Sequence, residues 1–151
     1  VKVNSGGNAL EFGADVGGKV LQIVSSTHET QETTSSTSFQ DSSLSANITP
    51  SATSSKVICW VSGTQGTSGT ASECFTTVFR DSTNLGSSTG VGYCYSNGGN
   101  TYTPISICVV DTPSSTSALT YRMKFRASGS AAQYVFAQAT KATMILMEVS
   151  G

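Results

Sequence analysis

VVDTPSSTSALTYRMKF, Val109 to Phe125, is the stretch that decides how this chain is read. Its second half alternates without a break. Leu119, Tyr121, Met123 and Phe125 fall on one side, and Thr120, Arg122 and Lys124 on the other. A period of two belongs to a strand with one dry and one wet face, as in an antiparallel sheet. The first half closes an apolar run. Between them DTPSSTSA is a turn, in which Pro113 presets φ while Asp111 and the hydroxyls bind loose backbone groups. The stretch is therefore strand, turn, strand, and nothing in it performs chemistry by itself.

The same reading extends outward. KVLQIVSSTHE (19–29), LSANITP (44–50), KVICWVSG (56–63), ECFTTVFRD (73–81), VGYCYS (91–96) and TPISICVVD (103–111) read as strands. So do ALTYRMKFRA (118–127), AQYVFAQA (132–139) and ATMILMEVS (142–150). Pro50 stops the second and Gly63 breaks the third. The connections are rich in Gly, Ser, Thr, Asn or Pro, and NGGN at 97–100 is a strong turn signal. SAAQYVFAQATKA invites a helix, but Tyr134, Val135 and Phe136 in a row suit a strand. Many short, evenly spaced strands predict an all-β sandwich, jelly roll or barrel. In the first strand Val20 and Gln22 share one face and Leu21 and Ile23 the other. Trp60, between Cys59 and Val61, is expected in the core.

At 151 residues the chain is one ordinary domain. Its polarity comes from 26 Ser and 21 Thr, while the charged share is only 11% against a usual ~25%. Disordered chains carry high net charge and few β-branched residues; this one has net charge −1 and abundant Val, Ile and Thr. Scattered Lys and Arg at near-zero net charge argue against nucleic acid or an anionic membrane as partner. No apolar run approaches ~20 residues, so membrane insertion by a helix is not expected. The chain opens on Val1, and residues 1–18, Gly-rich around Ala9, Leu10 and Phe12, read as a leader or linker to a domain at 19–151.

The residues that do chemistry elsewhere lack their patterns here. Cys59, Cys74, Cys94 and Cys108 form no C-x-x-C pair, which disfavours a zinc ribbon. They read as buried free thiols, with one or two disulfides as the alternative. His28 is the only histidine, and no G-x-S-x-G elbow accompanies it. It reads as an exposed strand-end residue; the alternative is a threefold axis where three copies would converge on an ion. The carboxylates form no E-x-x-H or D-x-D pattern, and the Gly-rich turns contain no G-K-[ST]. Neither a catalytic residue nor a cofactor is expected. N-I-T at Asn47 fits the glycosylation sequon and is read as chance.

Recognition is what remains. Tyr93, Tyr95 and Tyr102 flank the SNGGN turn, and Tyr with Ser, Gly and Asn makes a polar, adaptable contact surface. Rings for stacking and amides for hydrogen bonds suit a sugar. The candidate receptor-binding residues are Tyr93, Tyr95, Asn97, Asn100, Tyr102, Gln65 and Asn84, on loops 63–72, 81–90 and 96–103. The alternative is that these tyrosines fill the core.

VKVNSGGNALEFG, the span from KVLQIVSS to WVSG, FRDSTNLG, VVDTPSSTSALTYRMKF and ATMILMEVSG occur in order over nearly the whole chain. Together they resemble the C-terminal β domain of bacteriophage tail-fibre and virion structural proteins of the marine phage type. The resemblance implies a jelly-roll-like β-sandwich forming a homotrimer at a fibre tip or on the virion surface. It implies a non-catalytic role in attachment to a host cell-surface glycan or protein, beside other virion proteins. A capsid-decoration or fibre-capping module without ligand is the alternative, and a polysaccharide-degrading tail enzyme the next. The cysteines are not a feature that the resemblance explains.

Overall fold

In the computed structural model, residues 18–151 are described in full. Of the leader assigned to 1–18, only two short backbone strands are described, β1 (Lys2–Val3) and β2 (Leu10–Glu11), paired antiparallel with each other. The rest of that assignment lies outside the described residues.

The domain proper contains β3 (Val20–His28), β4 (Glu32–Thr34), β5 (Gln40–Ile48), β6 (Lys56–Thr67), β7 (Ser72–Arg80) and β8 (Thr83–Asn84). After these come β9 (Gly92–Ser96), β10 (Thr101–Asp111), β11 (Leu119–Ala127), β12 (Gln133–Val135) and β13 (Ala142–Val149). All pairings are antiparallel. One sheet runs β3–β13–β6–β10, with β4 and β12 continuing the first two positions; the other runs β5–β11–β7–β9, with the short β8 beside β7. Successive long strands β5, β6, β7, β9, β10 and β11 change sheet at most steps, which is jelly-roll connectivity. The expected all-β, jelly-roll-like sandwich is thus what the chain forms.

Period-two burial explains why the sheets pack. β11 alternates as its sequence predicts, with Leu119, Tyr121, Met123, Phe125 and Ala127 inward. Leu44, Ala46 and Ile48 of β5 continue that layer. Val57, Cys59 and Val61 of β6, Ile105, Ile107 and Val109 of β10, and Ala142, Met144 and Leu146 of β13 face them across the interior. Side chains of roughly this size contribute about 1.5–3 kcal/mol each when fully buried.

Two strand readings need correction. β6 does not break at Gly63 but continues to Thr67. A Cβ at Gly63 would lie 2.9 Å from the Ala142 Cβ and 3.8 Å from the Phe136 ring, so the missing side chain makes room for the neighbouring strand. The strand expected over 132–139 is only Gln133–Val135. Beyond it Phe136 adopts left-handed φ of 56°, and a 3-10 turn covers Ala137–Ala139. The backbone therefore leaves the ladder between Val135, opposite Gln65, and Thr143, opposite Ser62. Phe136 N donates to Thr64 O at 2.8 Å and Gln138 N to Gln31 Oε1 at 3.0 Å, so the excursion is tied on both sides. Its ring is fully buried and meets His28 edge-on at 5.2 Å. Left-handed backbone costs about 1–2 kcal/mol for such a residue, which burial of a whole phenyl group offsets.

Polar groups close one end of the interior, where Asp111 and Glu148 flank Val57 on neighbouring strands. Arg80 Nη1 donates to both Asp111 oxygens at 2.8 Å, and Tyr121 Oη donates to Asp111 Oδ2 at 2.6 Å. This joins β7 and β11 of one sheet to β10 of the other. Burial, and then the Asp111 carboxylate, raise the Tyr121 pKa, so the phenol stays a donor. Glu148, fully buried on β13, accepts from Gln22 Nε2 at 2.6 Å and from Ser51 N and Oγ, both at 2.7 Å. Burial disfavours its charge, but these donors and the dipole of Ser55, whose buried hydroxyl lies outside hydrogen-bond geometry, outweigh it and bring the pKa down to about 2.

Removing Asp111 with Ala leaves the half-buried Arg80 guanidinium and the buried Tyr121 hydroxyl without their partner, and is expected to lower unfolding free energy by about 1–3 kcal/mol, measured by urea titration. Tyr121→Phe should lose only about 1 kcal/mol. A second expectation concerns acid. A carboxyl held below its unfolded value of ~4.3 stabilises the fold above that pH and ceases to do so as pH falls through the folded pKa. Stability should therefore decline from about pH 5 to about pH 2. Glu148→Gln should be less stable at neutral pH and should flatten that decline in denaturant midpoints measured across the range.

Candidate functional site

One end of the sandwich gathers the turns after β6, β9 and β11. The SNGGN turn sits there, shaped by Ser96 Oγ donating to Gly99 O at 2.7 Å and by Gly99 at φ 77°. Gly at that φ carries no Cβ penalty. β9 enters the turn on one sheet and β10 leaves it on the other. The turn thus places Tyr93 and Tyr95 on one outer face and Tyr102 on the opposite one, with Asn97 and Asn100 exposed between them. Tyr95 Oη donates to Asn97 Oδ1 at 3.3 Å, and Asn100 Nδ2 reaches Tyr102 Oη at 3.5 Å. Five of the seven residues singled out from sequence therefore share one corner.

Each flank of the corner is aromatic. On the β10 side, Tyr102 and Tyr134 stand on either side of Gly66 in register, their ring centroids 6.2 Å apart. A Cβ at Gly66 would lie 2.5 Å from Tyr102 Cδ1, so the glycine is what lets the ring lie flat over the strand. On the β9 side, Tyr93 packs against Phe75 at 5.5 Å, and its hydroxyl donates to Glu73 Oε1 at 3.0 Å. The Arg126 guanidinium lies over Phe75 at 4.2 Å and Phe39 at 5.3 Å, and Lys124 Nζ over Phe79 at 4.4 Å. Such cation–ring contacts are worth about 0.5–1 kcal/mol each at exposed sites and hold the rings in place. Asp41 pairs with Lys124 Nζ at 2.7 Å and Arg122 Nη1 at 3.0 Å. The Lys124 bond leads in holding its pKa below the usual carboxylate range.

Phe39, Phe75 and Arg126 on one outer face, and Tyr134 and Gly66 on the other, were not legible as neighbours of the turn. The outward cations of LTYRMKFR were visible in sequence, but their seat on Phe75 and Phe79 depends on the β11–β7 register.

Two sequence candidates have other work. Gln65 is buried in the sandwich, its Nε2 donating to Tyr93 O at 3.1 Å and its Oε1 accepting from Thr76 Oγ1 at 3.0 Å. It supports β9 from within because β6 runs on past Gly63. Asn84 organises its own turn: Oδ1 accepts from Thr77 Oγ1 at 2.7 Å and Gly86 N at 3.0 Å, and Nδ2 donates to Ser87 O. Loop 81–90 leaves the opposite end of the sandwich and runs back along β7, so the three expected contact loops do not converge.

The remaining reactive groups are individually engaged. His28, expected to be exposed, is half-buried; its Nε2 lies 3.1 Å from Glu32 Oε1 but outside hydrogen-bond geometry, and Glu32 accepts from Ser43 N. Glu29 meets Lys141 at 3.5 Å, and Asp81 Oδ1 accepts from Thr120 N. Among the described residues no three His, Cys, Asp or Glu side chains cluster as metal ligands. Cys59, Cys74 and Cys94 are buried and free, while Cys108 is exposed, contrary to the expectation for all four. Burial, then a neighbouring thiol, pushes Cys59 and Cys74 up to about 12, which keeps them protonated. Trp60, expected in the core, instead points outward from β6, since Cys59 and Val61 take the inner positions.

No family model and no curated protein matches the chain. Among solved structures it is similar to that of the infectious bursal disease virus Gx strain, at 14% identity and TM-score 0.39, over 85% of this chain and 40% of that one. It is similar to the T13 particle of the same virus at 11% identity and TM-score 0.41, over 87% and 38%. The VP2 subviral particle gives 13% identity and TM-score 0.40, over 85% and 38%. The chain spans about two fifths of the length of these proteins. Its jelly-roll assignment stands on the strand connectivity and not on these likenesses.

The separation of supporting from contacting residues is testable. Gln65→Leu leaves the Thr76 hydroxyl and the Tyr93 carbonyl without a buried partner. It should lower unfolding free energy by about 1–3 kcal/mol in urea titration, whereas Asn97→Ala, on the exposed turn, should change it by less than about 0.5 kcal/mol.

Proposed function

We propose that this is a non-catalytic virion-surface domain, the distal part of a tail fibre, that assembles as a homotrimer and binds a host-surface glycan through its tyrosine corner. The observation that carries the reading is the exposed turn at 97–100, which carries Asn97 and Asn100 and is flanked by Tyr93 and Tyr95 on one outer face and Tyr102 on the other, with Phe75 packed on Tyr93 and Gly66 making room for Tyr102. Rings present flat apolar faces for the C–H side of a sugar, and the amides present donors and acceptors for its hydroxyls. Each site is weak alone, and three on one particle gain by multivalency.

The carboxylates support a contact role in the same way. Glycoside hydrolysis needs two facing carboxyl groups. Here Glu148, Asp111, Asp41, Glu73 and Glu32 are each committed to a hydrogen-bonded or ion-paired partner, and Glu148 and Asp111, which flank Val57 on neighbouring strands, are held by separate sets of donors. The sequence resemblance to tail-fibre domains agrees with this reading, and the corner supplies a surface for it.

Tyr95→Ala and Tyr102→Ala should each weaken binding to host cells or to an arrayed host glycan by roughly tenfold or more, since an aromatic contact of about 1 kcal/mol is repeated across copies. Their unfolding midpoints should stay within about 0.5 kcal/mol of the parent. Retained binding in both variants would sink the glycan site. Absence of binding by the parent protein would leave a ligand-free structural module, and turnover of host polysaccharide would restore the enzyme reading.

A further inference from the structure

The outer face of the β3–β13–β6–β10 sheet is apolar where an outer face is normally wet. Register builds it in rows. Ile23, Met147, Ile58 and Val110 lie side by side across the four strands. In the next row Ile145, Trp60 and Cys108 follow Ser25. Thr27, Thr143, Ser62 and Ser106 form a hydroxyl row beyond them. Val20, Leu21, Ile23, Trp60 and Val110 are 52, 45, 61, 54 and 65% exposed. With roughly 150–250 Å² per large side chain, these five expose on the order of 500 Å². The half-buried Ile58, Ile145 and Met147 add to it. The largest apolar patch of an ordinary monomer is about 300–600 Å².

We infer that this face is where a second copy of this chain docks. The inference rests on the self-assembly proposed above and names its surface. Charge argues for a copy. The Ile23 and Trp60 rows contain no carboxylate or ammonium, and the adjoining row of Val20 and Val149 ends at the exposed Lys56, one charge at the margin. Copies of the face therefore meet over uncharged rows, and a strongly charged partner would find little to pair with. Net charge of −1 adds little long-range repulsion between copies. Area argues the same way, because a standard interface hides about 800 Å² per partner, of which this patch, with the half-buried residues between its rows, supplies the apolar centre. An apolar centre with a polar margin, the hydroxyl row on one side and Lys56 on the other, is also the anatomy of a protein interface.

Trp60, the only tryptophan, and Cys108, its cross-strand neighbour, report on the face directly. Light scattering on the full chain at micromolar concentration should give a multiple of 15.5 kDa. Val110→Lys and Trp60→Ser, both outward-facing, should each reduce it to the single-chain mass with the strand circular dichroism intact. Tyr93→Ala, on the opposite face, should not. Cys108 should react with a maleimide at least tenfold more slowly in the assembled parent than in Val110→Lys, and Trp60 emission should shift to the red in Val110→Lys. A monomeric parent overturns the inference and the proposed trimer together, yet leaves glycan binding at the tyrosine corner standing. So does a monomer whose Cys108 is protected, which would mean another segment of the chain covers the face. An assembly that survives both variants overturns this face alone and leaves the trimer to another surface.

Discussion

Strand β6 is the constraint on which the rest depends. It pairs along its whole length with β10, from Lys56's neighbour Val57 to Thr67, and on its other edge with β13 and then β12. A strand held on both edges has no freedom of register, and a one-residue slip would turn every side chain to the wrong face. Its inner row changes character along its length. Val57, Cys59 and Val61 meet the aliphatic core, Gly63 yields space to Ala142 and Phe136, and Gln65 and Thr67 meet polar partners under β9. The core end and the corner end of the molecule are thus set by one strand.

That gradient explains how a chain so rich in hydroxyls still folds. Ser and Thr are not confined to its surface. Ser42, Thr67, Ser72 and Thr76 are buried and hydrogen-bonded, Ser42 to Met123 O at 2.8 Å. Buried polar groups are tolerable where each finds a partner, and costly where one does not. The two buried carboxylates follow the same rule, one answered by Arg80 and Tyr121 and the other by Gln22 and Ser51. Few charges are needed because few are left over.

The two outer faces differ in character for a physical reason. The β5–β11–β7–β9 face interleaves cations with rings, so its aromatic surface is fixed and half wet. The β3–β13–β6–β10 face carries two uncharged apolar rows bordered on one side by Lys56. The first suits a small polar ligand reached from solvent, and the second suits a surface as flat and apolar as itself. The tyrosine corner lies where the chain crosses from one to the other.

The strand class, nearly all the strand positions and the orientation of β11 could be read directly, because LTYRMKF has one apolar and one polar face and alternation then states which way is in. Tyr93, Tyr95, Asn97, Asn100 and Tyr102 were likewise legible, since a Gly-rich turn keeps its neighbours exposed in almost any sandwich. Where both faces of a strand are apolar, alternation is silent. In β3 and β6 it could not say that Ile23 and Trp60 point out, because Val24, Cys59 and Val61 are equally apolar choices for the inside. Nor could it place Gln65 inside or put Phe136 in left-handed backbone, since both follow from what stands opposite them on another strand. Local pattern determined that this chain makes pleated sheets; only the pairing of distant strands decided which apolar face was left for solvent.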